Sequence, residues 1–351
     1  MRVGWYVHHH GAGHRTRAGV VGEELARRGH EVTLIGSSLG DPALLPGATL
    51  PLPMDFPLDD AGPERRAGVD LGGLAHWAPL RHSGFRRRMA DVAAWVEAHR
   101  PEVVVVDVST EVALLVRLLG VPVVVVAQPG DRRDPGHGSA LAAASAVLAP
   151  WPTWATPDLW RAAIAGGDGT GGGWDHRLVA VGGIARPPMT REPSTGDSPE
   201  PVSRRLRGVV FAGSEGFEHP GLVEHVTASV DTVEWTVADG RTWLPDVAAL
   251  LAASDVVVTH AGQNSVAEVA AARVPAVVVP QSRPFDEQDH MGAALSASGL
   301  ARVVARDEVA RTDWSEAVAD ALARGGAGWD RWDCAGAVGR AADLVEETGR
   351  G

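Results

Sequence analysis

The strongest constraint on this chain is a set of short valine-rich runs that are apolar at every position. Val103-Val104-Val105-Val106 and Val123-Val124-Val125-Val126 contain no polar alternate. A strand with one face in water alternates apolar and polar residues, so unbroken runs suit strands buried on both faces, as in parallel sheets covered by helices. Similar runs place strands at 3–9, 31–36, 103–108, 121–128, 145–149 and 178–182 in the first half. In the second half they fall at 208–213, 233–238, 256–260, 275–280 and 301–305. Helical segments lie between them, such as 16–28, with Val21 and Leu25 on one face and Gly29 as a C-terminal stop. Repeated strand–helix–strand units predict parallel sheets with right-handed crossovers.

The series breaks between about 185 and 207, where Ala185-Arg186-Pro187-Pro188 leads into a Pro/Ser/Thr/Glu stretch without apolar period. A chain of 351 residues is long enough for two domains of roughly 100–200 residues each. The expected fold is therefore α/β: two doubly wound Rossmann-like domains facing a cleft. The first covers 1–186 and the second 208–351, with a linker at 187–207 and a last helix free to pack back on the N-terminal domain. Ligands of open α/β sheets bind at the C-terminal ends of the strands. The glycine-rich stretch from Gly166 to Gly173 reads as a mobile loop.

Composition removes several function classes. A net charge of −12 argues against nucleic acid, whose binding rests on basic residues neutralising phosphates. All 32 basic residues are arginine, and the absence of lysine removes Walker-type phosphate binding and Schiff-base chemistry. The single cysteine, Cys334, excludes an internal disulfide framework and a cysteine metal cluster. No apolar run approaches the ~18 residues that span a bilayer. The start, Met1 to Val7, is too short and too soon polar for a signal peptide. The expectation is a cytoplasmic protein with no transmembrane segment.

Chemistry concentrates at His260-Ala261-Gly262-Gln263-Asn264-Ser265, followed by Glu268, where the strand Val256-Val257-Val258 gives way to a helix. Asn264 is the only asparagine in the chain. A diphosphate there would meet backbone N–H groups and the positive end of a helix dipole. Gly262 lets the backbone approach closely, His260 can donate to an oxyanion, and Asn264 and Ser265 add short polar donors. Ser265-x-x-Glu268 also fits a capping box, which needs no ligand. Both readings stand at this point.

Further elements surround the motif in order: Trp243-Leu244-Pro245-Asp246 upstream, then Val274-Pro275, Val279-Pro280-Gln281 and Asp286-Glu287-Gln288 downstream. This order resembles the donor-binding signature of nucleotide-sugar glycosyltransferases with the GT-B fold, the UDP-glycosyltransferases and their MurG-type relatives. The likeness is close over about 240–295 and loose over the two-domain layout. It implies that Trp243 stacks on uracil, and that His260, Gly262, Gln263, Asn264 and Ser265 form the diphosphate site. Glu268 would hold the ribose, Glu287 and Gln288 the sugar hydroxyls, and Gly213-Ser214 would face the phosphates from the other side. Asp246 replaces a usual Gln, and Gln263 stands where plant enzymes have Trp.

A second motif, His8-His9-His10-Gly11-Ala12-Gly13-His14-Arg15-Thr16-Arg17, follows the first strand. The dinucleotide pattern G-x-G-x-x-G fails at Thr16, and Gly36 ends the second strand where an acid belongs. In the look-alike family a Gly-His pair opens this helix, and plant-type inverting members use its His as general base. His14 fits that place, with a near-neutral intrinsic pKa, and Asp107, ending the strand Val103–Val106, would orient it. Alternatively Asp107 caps the following helix. Arg15 and Arg17 make the expected acceptor mouth basic, and His137, in the 128–140 loop, is the second candidate base. Acceptor contacts are expected from loops at about 51–85 and 128–140.

His8, His9 and His10 read as solvated or loop-packing, because consecutive strand residues point to opposite faces. The D-x-D motif of metal-dependent transferases is absent. Arg86-Arg87-Arg88, beside Phe85 and Met89, is either a patch for an anionic lipid or a solvated helix face. The position eight residues before Glu268, a Glu in one large class of retaining enzymes, is His260. The resemblance thus implies an inverting, metal-independent transfer from a nucleotide-diphosphate sugar, UDP-linked in the simplest case, to a hydroxyl acceptor, small or lipid-linked. No other cofactor is expected, and peripheral membrane contact is compatible with it. The rivals are a non-hydrolysing nucleotide-sugar 2-epimerase and a non-catalytic nucleotide-sugar-binding subunit.

Overall fold

The computed structural model describes residues 1–9, 11–56, 68–157, 177–186, 205–213, 216–238 and 246–351. The chain divides into two units, Met1–Gly182 with Gly336–Gly351, and Gly183–Ala335. Of the linker expected at 187–207, residues 187–204 lie outside the described residues, as do the glycine-rich 166–173 stretch and part of the 51–85 loop, while Leu206 and Arg207 already belong to a strand.

Unit 1 holds a seven-stranded sheet of β1 (Arg2–Val7), β2 (Glu31–Gly36), β3 (Ala48–Pro51), β4 (Val103–Asp107), β5 (Val123–Val126), β6 (Ala146–Ala149) and β7 (Leu178–Ala180). Its order is β3-β2-β1-β4-β5-β6-β7, with every neighbouring pair parallel. The all-valine runs occupy the middle of this sheet, where Val103 to Val106 are at most 1% exposed. Their burial removes apolar surface from water on both faces, which is the main driving term for such a core. The helices are α1 (Gly13–Arg27), α2 (Ser83–His99), α3 (Thr110–Leu118) and α4 (Pro135–Ala143).

Unit 2 repeats the plan with β8 (Leu206–Phe211), β9 (Val233–Ala238), β10 (Val256–Thr259), β11 (Ala276–Val278) and β12 (Arg302–Val303), in the order β12-β11-β10-β8-β9, again parallel throughout. Its helices are α5 (Leu222–Ser229), α6 (Val247–Ala252), α7 (Gln263–Ala272), α8 (Glu287–Ser298) and α9 (Trp314–Arg324). The final helix, α10 (Ala337–Arg350), groups with unit 1. Arg28 donates to Asp343 and Glu346 on it, and Arg340 donates to the Val181 carbonyl. The first unit ends at Gly182, short of residue 186. Gly183–Arg186 belong to unit 2, where the Gly183 N–H donates to the Trp332 carbonyl and Arg186 pairs with Glu268.

In each sheet the strand order reverses once, between β1 and β4 in unit 1 and between β8 and β10 in unit 2. At such a point the loops leaving two adjacent strands diverge and open a crevice at their C-terminal ends. His14 and Asp107 sit at the first reversal. Gly213 and His260 sit at the second.

The Arg86–Arg88 run is not a continuous basic patch. Arg87 pairs with Asp91 along α2, while Arg88 is fully buried. The Arg88 guanidinium donates to Tyr6 Oη, Ser37 Oγ, the Pro53 carbonyl and, at 3.3 Å, Asp55 Oδ1. This arginine ties α2 to the loops after β2 and β3. Removing one member of a buried charge pair costs about 3–5 kcal/mol. Arg88→Ala should therefore lower stability by about that amount in urea unfolding, and a loss within ~0.5 kcal/mol, typical of surface substitutions, would contradict the assignment.

Candidate functional site

At the first reversal, Asp107 ends β4 fully buried and gathers three side chains. Arg17, on α1 and itself buried, donates Nε to Oδ2 at 3.0 Å and Nη2 to Oδ1 at 2.9 Å. Gln128 Nε2 donates to Oδ1 at 3.3 Å, and His14 Nδ1 lies 2.8 Å from the same oxygen. Burial alone would raise the Asp107 pKa, but the charges of Arg17 and His14 outweigh it and hold the carboxyl well below the usual range. Arg17 Nη2 also lies 3.2 Å from His14 Nδ1, but the nearer Asp107 oxygen is an anion that can only accept, so Nδ1 carries the proton and the lone pair of the neutral ring is on Nε2. That nitrogen has no partner among the described residues, and the side chain is 19% exposed. It is placed to take a proton from a hydroxyl.

Asp107 is not a helix cap, because Ser109 caps α3 by accepting from the Val112 N–H. Between them Val108 adopts φ 62°, a conformation costly for a β-branched residue, of the sort stored at functional sites. Arg17 departs from the expected acceptor mouth, since it is turned inward onto Asp107. Arg15 is exposed and donates to the Ser38 carbonyl at 3.3 Å. His8 and His9 lie beyond the end of β1, so strand alternation does not separate them. Their rings stack at 4.7 Å, and His8 meets His14 edge-on at 5.6 Å. His10 is outside the described residues.

A small open cavity lies next to Val108, lined also by Thr110, Val126, Gln128, Arg132 and His137 among others. His137, His76 and Asp134 place ligand atoms within 4.8 Å of one another. Their hydrogen bonds define a closed chain instead of an open base. Arg132 Nη1 donates to His137 Nε2 at 3.0 Å, so His137 Nδ1 carries the proton that Asp134 accepts. His76 Nε2 bonds the other Asp134 oxygen at 2.8 Å. Burial, with the Arg132 charge, lowers the His137 pKa to about 4. With both ring nitrogens occupied, His137 does not have the free lone pair of a second base. The adjacent guanidinium also opposes a cation at this cluster.

At the second reversal, His260 follows β10 and Gly213 follows β8. The Gly213 N–H points at His260 Nε2 at 3.0 Å, and the Gly262 N–H at Nδ1 at 2.8 Å. Ser265 Oγ, buried in the first turn of α7, is 3.3 Å from Nε2. The ring crowds both glycines, Gly262 most. A Cβ at 262 would stand 2.3 Å from His260 Cε1, and one at 213 would stand 3.0 Å from Nε2. Burial, together with the nearby charge of Arg283, lowers the His260 pKa to about 4, so the imidazole is neutral at pH 7. A neutral imidazole has one acceptor nitrogen. One of the two half-buried backbone N–H groups is therefore left without the ring as an acceptor whichever tautomer forms, and it is available to an incoming anion.

The capping-box alternative does not hold. Helix α7 begins at Gln263 with Gly262 as its N-cap and no side chain over its first turn. Ser265 and Glu268 thus lie inside the helix, on His260 and Arg186 respectively. Gln263 and Asn264 are the first two helical residues, both half-buried. Glu268 is 7% exposed, and Arg186 Nε and Nη2 reach its Oε1 at 2.8 and 2.7 Å.

Gln288 is buried in α8, and its Oε1 accepts from the Gln281 N–H at 2.9 Å, leaving its amide NH2 without a partner among the described residues. Glu287 opens the helix. Just before it, Phe285 and Asp286 both take left-handed backbone, φ 60° and 54°, a strained pair at the expected sugar end. Gln281 braces this segment by accepting from the Glu218 N–H and donating to the Val279 carbonyl. Trp243 and Ser214 lie outside the described residues. Sequence reasoning passed over Arg186, Gln281, Gln128 and the locking role of Arg17. Arg17 and Gln281 stand in sequence motifs and Arg186 and Gln128 do not, but only the fold brings any of them to its partner.

Residues 221–326 match the glycosyltransferase family 28 C-terminal domain. A UDP-N-acetylglucosamine–N-acetylmuramyl-(pentapeptide) pyrophosphoryl-undecaprenol N-acetylglucosamine transferase of Solibacter usitatus is 34% identical over 114 residues, 31% of each chain. The Sinorhizobium medicae protein of that name is 29% identical over 233 residues, 54% of this chain and 60% of the relative. The matched stretches thus span from under a third to three fifths of these relatives' length. Among solved structures, the glycotransferase of kitacinnamycin aligns over 99% of this chain and 98% of its own, with TM-score 0.68 and 19% identity. MurG of Acinetobacter baumannii aligns over 99% and 100%, with TM-score 0.61 and 16% identity. The fold is that of the GT-B glycosyltransferases, with two Rossmann-like domains. The domain match, the relatives and the solved structures together support the resemblance to nucleotide-sugar glycosyltransferases.

The His260 reading has a pH signature. Its folded-state pKa is depressed below the ordinary value near 6.5. Its neutral form therefore contributes stability that is full above about pH 6.5 and is lost as pH falls toward 4. A histidine-selective NMR titration should show this ring neutral from pH 8 to 5, with its midpoint near 4. A midpoint near 6.5 would contradict the buried amide contacts.

Proposed function

We propose that this protein is an inverting, metal-independent glycosyltransferase that moves a sugar from a nucleotide-diphosphate donor, UDP-linked, to a hydroxyl acceptor. The observation that carries the reading is the pair of backbone amides, Gly213 and Gly262, converging on one neutral imidazole at a strand-order reversal. A diphosphate oxygen supplies the acceptor that the surplus N–H lacks, at the uncapped N-terminus of α7. His260 then acts by holding the two amides in place and not as a charged donor to the oxyanion. In family terms Trp243 stacks on the base, Glu268 takes the ribose hydroxyls, and Gln288 with Glu287 takes the sugar. The amide donors of Gln288 suit hydroxyl oxygens.

Unit 1 contributes the base. His14 Nε2 removes the acceptor proton while Asp107 holds Nδ1–H and stabilises the imidazolium that forms. The acceptor oxygen bonds to the anomeric carbon as the bond from that carbon to the phosphate oxygen breaks, and the nucleotide diphosphate leaves with the electron pair. Attack opposite the leaving group inverts configuration. The amide and helix-dipole donors stabilise the leaving charge without requiring a divalent ion. An open Nε2 on an oriented histidine favours an enzyme over a binding subunit, which needs no base. The curated relatives are named for a pyrophosphoryl-undecaprenol substrate, so a lipid-linked acceptor is within this reading. No helix among the described residues is long and apolar enough to cross a membrane.

The test uses released nucleoside diphosphate from a panel of nucleotide sugars and hydroxyl acceptors, with EDTA present. His14→Ala should lower turnover about 10²–10⁴-fold while leaving UDP affinity in calorimetry unchanged. Asp107→Asn should cost less, and the double variant should be scarcely slower than His14→Ala, because residues acting as one unit are not additive. Folding is checked alongside, since Asp107→Asn leaves buried Arg17 uncompensated at about 3–5 kcal/mol. Full activity of His14→Ala, or activity abolished by EDTA, would contradict the mechanism.

A further inference from the structure

Glu268 is a carboxylate in an apolar setting. It lies in the middle of α7 between Ala267 and Val269, each 1% exposed, and is itself only 7% exposed. Isolated carboxylates in such places abandon their charge. Among the described residues its charged partner is Arg186, 82 residues earlier, whose Nε and Nη2 both address Oε1 at 2.8 and 2.7 Å. The second oxygen, Oε2, has no partner among the described residues. The pair is therefore asymmetric: the guanidinium fixes one oxygen, and no described residue addresses the other.

Resting on the donor-site reading above, we propose that Arg186 is a positioning residue for the nucleotide, holding Glu268 ionised and turned so that Oε2 meets the ribose hydroxyls. A carboxylate accepts two hydrogen bonds from vicinal hydroxyls, and charge-assisted bonds of this kind are about twice as strong as neutral ones. A protonated carboxyl would present one acceptor fewer and a donor in its place. The balance at this site is close. Burial raises the Glu268 pKa, and the charge and hydrogen bonds of Arg186 work against the rise without cancelling it. Removing Arg186 leaves burial unopposed.

Among the described residues, the other elements packed on α7 supply no substitute cation to Glu268. Helix α6 reads Val-Ala-Ala-Leu-Leu-Ala, and Asp246, which caps it, accepts from the Ala249 N–H. The 3-10 turn at Ala327–Trp332 carries Asp330, paired with Arg273, and Arg331, which donates to the Ser298 carbonyl. Arg186 reaches Glu268 because the segment Gly183–Arg186 is tied to this unit by the Gly183 N–H bond to Trp332.

The experiment is calorimetric titration of the full chain with UDP between pH 6 and 8.5, for wild type, Arg186→Gln, Arg186→Lys and Glu268→Gln. Wild type should bind with a shallow pH dependence. Arg186→Gln should bind more weakly at low pH, falling about tenfold per unit of pH below the raised Glu268 pKa and recovering toward wild type as pH rises. Arg186→Lys, which keeps the charge, should restore most of the affinity. Glu268→Gln should be weak and flat with pH, and Arg186→Gln added to it should change nothing further. Wild-type-like, flat binding by Arg186→Gln, with Glu268→Gln impaired, would overturn the role of Arg186 while leaving the donor site standing. UDP binding absent in wild type, or undiminished in Glu268→Gln, would instead remove the donor-site reading and this inference with it. Should Arg186→Gln unfold, Arg186→Lys carries the comparison, since loss of its binding at every pH contradicts a charge-based role.

Discussion

A parallel sheet buried on both faces leaves only one place for polar chemistry, and the rest of this protein follows from that constraint. The valine runs of β4 and β5 are committed mainly to the core, so they offer no polar side chain to a ligand. Reactive groups must stand at the strand C-terminal ends, and they gather where the strand order reverses and the loops part. Both units obey the rule independently. Asp107 closes β4 beside the start of α1, and His260 closes β10 beside the loop that follows β8.

Each reversal is held by one polar group, fully buried in Asp107 and half-buried in His260, and the two solve different problems. Asp107 is a charge in the core, sustained by the two-point grip of Arg17. The arginine neutralises it and leaves one edge to orient His14. His260 is a polar ring kept neutral by burial, and it collects more donors than a neutral imidazole can accept. The first arrangement prepares a base. In the proposed function the second serves an anion. Glycine serves at 213 and 262 for space and not for backbone freedom, since a side chain at either would crowd the imidazole, most at 262.

Much of this could be read from the residues. Strands at 31–36 and 233–238 match their observed bounds, and the apolar runs located the others within a few residues. The exception is β3, Ala48–Pro51, an edge strand with no apolar run and a proline at its end. Helix α1 starts at Gly13, three residues before its apolar period begins, because glycine and histidine carry little periodic signal. The His14–Asp107 pairing was legible because each residue stands at the end of a recognisable strand. The Ser265–Glu268 spacing misled as a cap, since the helix begins earlier, at Gln263. The partners that set the electrostatics were hidden. Arg17 looked solvent-facing beside Arg15 until the fold turned it inward, and Arg186 looked like the edge of a linker. Spacing along a chain cannot reveal a contact made across 82 residues.

The central claim is that a nucleotide diphosphate occupies the amide pair at the β8–β10 reversal. Hydrogen exchange measured by mass spectrometry with saturating UDP and EDTA tests it most directly, because backbone amides are the proposed ligands. The account predicts slowed exchange in peptides covering 206–213 and 260–268, with little change over 103–112. Protection confined to unit 1, with the 206–213 and 260–268 peptides unaltered, would contradict it.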